Sequence, residues 1–360
     1  MKKAVETLQY SVNGGEWTTL GTSTVTFGGS NGELRLRGKN LNGTAKSSLD
    51  YSTVKFDNSV SVSCSGDIRT LVDYENYKTV NTSEARFCYL FDDCRSLTSA
   101  PELPATTLAK SCYQGIFKDC RSLTGAPELP ATTLAESCYY GMFMCCSSLT
   151  SAPELPATTL AASCYNSMFY GCSSLTSAPK LPATALANWC YGNMFYDCSS
   201  LTSAPKLPAT TLTICCYYHM FDDCSSLTSA PKLPATTLAS SCYSGMFSGC
   251  SSLISAPELP ATALASSCYS YMFVGCSSLT STPELPATTL ASQCYYYMFD
   301  GCINLNQVTM LATDVSAFDC LYLWLYNVSS TGTFTKASTM TSLPSGFSGI
   351  PTGWNVENKN

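Results

Sequence analysis

The chain has 360 residues and a formal net charge of −6; hydrophobic residues make up 45% of it and charged residues only 12%. The acidic balance leaves no basic stripe to displace counterions from phosphates, so no nucleic acid is expected as a partner. No apolar run reaches the roughly 18 residues of a bilayer span. The longest, Phe318 to Val328, contains Asp319, so no membrane insertion is expected.

From the N-terminus, Met1-Lys2-Lys3 begins like an export signal, but Glu6, Thr7 and Gln9 interrupt the apolar stretch such a signal needs. On this reading no signal peptide is visible. Leu8, Tyr10 and Val12 alternate before Asn13-Gly14-Gly15, with Trp17 and Leu20 beyond, which predicts a β-hairpin. Val25 and Phe27, a turn at Ser30-Asn31-Gly32, then Leu34 and Leu36 predict a second one. Val54-Lys55-Phe56 and Val60-Ser61-Val62 suggest further strands. Residues 1–66 thus read as a small β-sandwich-like domain, and residues 67–93 as an irregular N-terminal cap on the repetitive region that begins at Cys94.

From Cys94 a 26-residue period takes over. Cysteines fall at 94, 120, 146 and on to 302, and a second series at 112, 138, 164 and on to 320. The unit reads C-S-S-L-T-S-A-P-E/K-L-P-A-T-T-L-A-x-S-C-Y-x-x-M-F-x-x, and eight copies occupy residues 94–302. Such near-exact repetition predicts a solenoid whose coils bury their apolar positions against each other. Leu97 to Ala100 suits a short strand, ended by Pro101, which cannot donate to a ladder. In Cys112 to Cys120, a period of 3.6 places Tyr113, Ile116, Phe117 and Cys120 on one arc, with Gln114, Gly115, Lys118 and Asp119 opposite. Each coil is therefore expected to combine a short parallel strand with a short helix that buries its Tyr/Met/Phe/Cys face. The fold class is an α/β solenoid, a leucine-rich-repeat-like stack of 26-residue coils.

The run C-x-x-L-x-x-A-P-x-L-P-x-x-x-L-x-x-x-C-Y-x-x-M-F-x-x-C resembles the bacterial-surface-protein (BspA-like) leucine-rich repeats found in gut bacteria and their phages. Met142-Phe143 stands where that class has Ala-Phe, and Leu97, Leu103 and Pro104 take its L…I-P positions. The unit departs from the class by a few extra residues and by lacking the glycine before the last segment. The resemblance covers roughly residues 86 to 328. It implies adhesion or ligand binding on bacterial surfaces or on their phages, with no chemistry.

Residues 303–360 form a degenerate repeat and a C-terminal cap. Leu305, Cys320 and Leu325 keep register while the prolines vanish. Thr331 to Lys336 and the segment from Gly346 through Ile350-Pro351 to Trp354 fit the atypical end a solenoid core needs. The N-terminal domain is either the opposite cap or an attachment to a larger particle.

Catalytic signatures are sparse. His219 is the only histidine and is expected at an exposed helix position. There is no C-x-x-C, phosphate loop or G-x-S-x-G elbow. No catalytic residue, metal site or cofactor is assigned, and the protein is read as not an enzyme. A glycan-cleaving carboxylate pair converging from separate coils is the weak alternative. The 22 cysteines read as buried free thiols packing as small hydrophobes, with Cys145 and Cys215 more exposed.

Copies within the chain vary mainly at four positions of the C-Y-x-x-M-F segment. The larger residues there are Tyr140, Tyr170, Tyr196, Tyr218, His219, Tyr271, Tyr296 and Tyr297. Tyr, Ser, Gly, Asn and Asp dominate, a palette resembling a paratope; drift at exposed positions would give variation too. A second row reads Glu102, Glu128, Glu154, Lys180, Lys206, Lys232, Glu258 and Glu284. It is either a solvated stripe inherited by block duplication or a charged band that orients a partner. The expected function is non-enzymatic binding: recognition of a cell-surface glycan or protein receptor within a phage tail fibre or virion. The other setting is a secreted or surface-anchored bacterial adhesin.

Overall fold

The computed structural model describes residues 8–22, 24–28, 32–341 and 346–359. Met1 to Thr7, where an export signal would begin, and Ser30-Asn31 of the second predicted hairpin lie outside them. The strands are β1 (Gln9–Val12), β2 (Thr18–Thr19), β3 (Leu34–Arg37), β4 (Ala45–Ser47), β5 (Asp50–Tyr51), β6 (Val62–Ser63) and β7 (Leu97–Ser99). After a long interval come β8 (Ser281–Leu285), β9 (Gln307–Met310), β10 (Thr333–Lys336) and β11 (Asn355–Asn358). The only helical turns among the described residues are 3-10 turns at Ile68–Leu71 and Gly346–Ser348.

The helix expected in each coil is therefore replaced. Cys190 to Cys198 shows what takes its place. The amides of Cys190, Gly192, Met194, Tyr196 and Cys198 donate to carbonyls three residues back, at 3.1–3.2 Å. The alternate amides of Trp189, Tyr191, Asn193, Phe195 and Asp197 donate instead to carbonyls 25 residues ahead, in the next coil, at 2.7–3.1 Å. The segment is a chain of consecutive turns, half of whose hydrogen bonds stitch coils together. Every fourth residue is left-handed: Trp189 (φ 60°), Asn193 (φ 52°) and Asp197 (φ 55°), with equivalents along the stack. The true period is four. Over nine residues, periods of 3.6 and 4 select the same buried positions, so the helical pattern names the correct inward set on the wrong backbone.

That inward set forms continuous ladders. Tyr113, Tyr139 and their successors to Tyr295 stack at ring-centroid distances of 5.7–6.1 Å. Phe87 closes the row at one end and Trp324 at the other. A second row runs from Phe91 to Phe299 at 5.4–5.8 Å. Both are buried. The cysteines complete the core: Cys146 Sγ donates to the Phe117 carbonyl at 3.0 Å, and the relation repeats at 3.0–3.1 Å from Cys120 to Cys302. The Phe carbonyl already accepts the amide of the cysteine three residues on. The thiol satisfies its second lone pair while taking no more room than a small apolar group. All 22 cysteines are free thiols. Burial raises the pKa of Cys112 and Cys138 to about 12.

The proline-punctuated side is looser. The strand predicted in every unit forms at the two ends: β7 pairs with β6, and β8, β9, β10 and β11 make a parallel four-stranded sheet. Between them the coils meet through isolated bridges such as Gly125↔Ser151 and Thr107↔Thr133. Amide contacts there are long, 3.4 Å for Thr150 to Thr124 and 3.5 Å for Thr202 to Thr176. The prolines supply no donor. Where Val308 and Thr309 follow Gln307 in place of Ala-Pro, a full strand forms.

At the N-terminal end the predicted hairpin is present, with Gln9 opposite Thr19 and left-handed Asn13 and Gly14 in the turn. β3 joins it as a third strand, giving the order β2-β1-β3. Val25–Phe27 and Val54–Phe56 form no strand. Residues 44–68 instead trace an atypical coil over the first repeat: Thr44, Val54, Val62 and Ile68 donate to the carbonyls of Arg86, Leu90, Ser96 and Glu102. Leu8, Leu20 and Ile68 belong to the same apolar cluster as the repeat ladders, which continues to Trp354.

Candidate binding face

The outward positions of the turn segment make one face along the stack. Its composition has a backbone cause that sequence variation alone does not reveal. The fourth position (Gly115, Gly141, Ser167, Asn193, His219, Gly245, Tyr271, Tyr297) is left-handed throughout, and so is the eighth (Asp119, Cys145, Gly171, Asp197, Asp223, Gly249, Gly275, Gly301). Gly, Asn and Asp tolerate that conformation best. Much of the paratope-like palette is therefore conformational selection. A second constraint acts between coils, because side chains lean over the next one. A Cβ on Gly245 would meet the His219 ring at 2.3 Å, one on Gly249 would meet Asp223 at 2.1 Å, and one on Gly115 would meet Tyr89 at 2.3 Å.

Large aromatic residues at left-handed positions stand out against that background. Tyr271 is 39% exposed. It stacks on Tyr297 at 5.4 Å and meets Tyr296 edge-on at 5.4 Å. Tyr296 stacks on Tyr322 at 5.5 Å, and Tyr322 meets exposed Phe347 at 6.2 Å. The structure thus gathers three of the predicted tyrosines and adds Tyr322 and Phe347, which lie beyond the regular repeats. Phe347 borders a shallow cavity of about 270 Å³ between Leu325–Ser330 and the 346–352 cap.

A second group lies toward the middle. Tyr170 and Tyr196 stack at 4.6 Å. Tyr196 lies beside Asp223, and burial, then the charges of Asp222 and Asp197, hold that carboxyl above the usual range. Tyr218 packs on Trp189 at 5.0 Å and on His219 at 4.2 Å. His219 is not an exposed helix residue: it is half-buried, left-handed, and its Nδ1 lies 2.5 Å from buried Asp222. Tyr140 is half-buried and set apart from both groups. Trp189 and Ile214, both exposed, are additions that the tyrosine pattern does not contain. Trp189 is marked in the sequence by its departure from the serine of most copies, whereas Ile214 stands at a position that also holds Lys110, Glu136 and Asn188 and is marked only as its one large apolar residue. Cys145 is half-buried as expected, but Cys215 is buried.

The charged row lies on the opposite, proline-punctuated side. Glu102, Glu128, Glu154, Lys180, Lys206, Lys232 and Glu258 are exposed. Glu284 is half-buried and paired with Lys359, the one ion pair of the row among the described residues. The described residues hold no cluster able to ligate a metal, and no described helix is long and apolar enough to cross a membrane.

Stacked coils of one repeated unit, closed by atypical ends and displaying a variable outer face, define a repeat solenoid. The model of the BspA type leucine-rich repeat region matches the chain in six copies, over residues 87–228 and 190–319, and the chain belongs to that family. Members are often surface- or adhesion-related. No curated protein matches the chain.

Proposed function

We propose that the protein is a non-enzymatic recognition module whose turn face binds a cell-surface glycan or protein receptor. The observation that carries this is the contiguous aromatic surface of Tyr271, Tyr296, Tyr297, Tyr322 and Phe347. Aromatic rings at solvent-facing positions bring large contact area at little entropic cost, and their faces suit sugar rings or receptor side chains. Mutual stacking fixes these rings in advance, which lowers the ordering cost of binding. The N-terminal cap is the end by which the module joins a larger particle, such as a phage tail. Display on a bacterial surface is the other setting.

The test is binding of the full chain to bacterial cells and to a glycan array, beside a Tyr296→Ala/Tyr297→Ala variant. Strong loss of binding with an unchanged melting temperature supports the reading. Equal binding by the variant contradicts it. Mass spectrometry of purified virions against washed cell envelopes separates the two settings.

A further inference from the structure

The repeat gives a neutral reference for each outward position, and one pair of coils departs from it most. The residue before the first turn cysteine is serine at 111, 137, 163, 241 and 267, but tryptophan at 189. Trp189 holds the left-handed conformation at φ 60° and is 37% exposed. A bulky residue is uncommon there, and this one still leaves part of its ring open to solvent. Among the other tryptophans, Trp324 and Trp354 are buried and Trp17 lies under the Arg37 guanidinium at 4.0 Å.

The surroundings hold Trp189 in place. Its ring passes over Gly192, where a Cβ would meet it at 3.2 Å, and its carbonyl accepts from Asn166 Nδ2 at 3.4 Å. Tyr218 stands against it at 55°, making an open aromatic corner. His219, pinned by Asp222, braces Tyr218 from the far side. Acids follow next: Asp222 adjoins Asp223, whose charge is coupled to that of Asp197. Residues 181–205 and 207–231 contain no lysine or arginine. This stretch of the turn face therefore offers aromatic rings, carboxylates and amides with no lysine or arginine, its one basic side chain, His219, being paired with Asp222.

We propose that Trp189 and Tyr218 form a second glycan subsite, separate from the Tyr271–Phe347 surface, for a glycan free of anionic groups. Aromatic faces pack on the C–H side of a sugar ring, the exposed carboxylates of Asp197 and Asp223 farther along the face accept from hydroxyl or amino groups of an extended glycan, and the same carboxylates repel sialic and uronic acids. The proposal rests on the surface-recognition reading and narrows its ligand.

Trp189 is the tryptophan most open to solvent, so intrinsic fluorescence reports the subsite. The full chain is titrated with glucosamine oligomers, with neutral gluco-oligosaccharides and with sialyllactose. Trp189→Ala and Tyr296→Ala/Tyr297→Ala are then compared by calorimetry, with melting curves confirming their folds. The expected result is saturable binding of the non-anionic sugars, no response to sialyllactose, and affinity about tenfold weaker or worse in Trp189→Ala. An Asp223→Asn variant should weaken the glucosamine oligomers more than the neutral sugars. Unchanged affinity in Trp189→Ala, or sialyllactose binding as tightly as the neutral sugars, overturns the subsite. So does a chain that binds cells but none of these sugars, or that loses sugar binding only in the double tyrosine variant; both leave the recognition reading standing. Failure to bind cells, receptors and glycans altogether brings down both.

Discussion

The turn side and the proline side of each coil are made by the same 26 residues, yet they hold the stack together by different means. On the turn side, alternate amides and a thiol from each unit reach the neighbouring coil at short distances around two aromatic ladders. On the proline side, missing donors leave isolated bridges through the middle of the stack, and a regular sheet appears only at the C-terminal end, where β9 to β11 carry no proline and β8 pairs with them. The difference teaches that a solenoid can move its main hydrogen-bonded seam from strands to turns when sequence forbids the ladder.

The largest test of this contrast is alkaline. Burial raises the pKa of the ladder thiols, for example to about 12 at Cys112 and Cys294. A group protonated when folded but ionised when unfolded favours the native state less as pH rises. Full stability is therefore present below the unfolded thiol value of about 8.5 and lost above it, at roughly 1.4 kcal/mol per pH unit per thiol. With many such thiols in one stack, the melting temperature should collapse between about pH 9 and 11. A melting temperature flat across that range would show that the seam is not as dry as its geometry indicates. In the same spirit, a thiol reagent at neutral pH should modify Cys145 first and leave the ladder thiols unreacted until the chain unfolds.

Next in size is truncation within the seam. Phe195→Ala removes a fully buried ring between Phe169 and Phe221 and should cost about 3–5 kcal/mol in denaturant unfolding. Thr202→Ala, on the exposed proline side, should stay within about 0.5 kcal/mol. Equal costs would erase the distinction. Smaller again is Gly245→Ala, whose new methyl would strike the His219 ring in a left-handed residue. A cost of about 1–2 kcal/mol is expected, partly relieved in a His219→Ala background. Additivity of the two substitutions would mean the coils do not lean on each other there. The smallest effect concerns the proline side itself: giving Ala204-Pro205 and Ala230-Pro231 the Val-Thr sequence of positions 308 and 309 should shift stability by no more than about 1 kcal/mol while creating new parallel-strand amide protection.

The architecture was legible because the repeat fixes which residues share an environment. Tyr113, Phe117 and Cys120 could be placed inside without knowing the backbone. The helix was misread because nine residues do not separate a period of 3.6 from one of 4. A discriminating signal was present: residues tolerant of left-handed φ recur four positions apart, as at Asn193 and Asp197 or Gly245 and Gly249. Glycines that follow large residues in the preceding copy, such as Gly245 after His219, carried the leaning of side chains in plain view. The aromatic surface was only half legible. Tyr296, Tyr297 and, one period on, Tyr322 follow the repeat, although Tyr322 lies in the degenerate copy, whereas Phe347 reaches the surface from a cap segment that no period places. Trp189 was masked by the abundance of tyrosines, although its departure from serine marked it.

Residue-resolved amide exchange tests the central claim most directly. The amides of Tyr191, Asn193 and Phe195, which donate to the next coil, should exchange roughly a hundredfold or more slowly than those of Thr202 and Thr228 on the proline side. Equal protection on the two sides, or greater protection at the threonines, would contradict a stack held together through its turns.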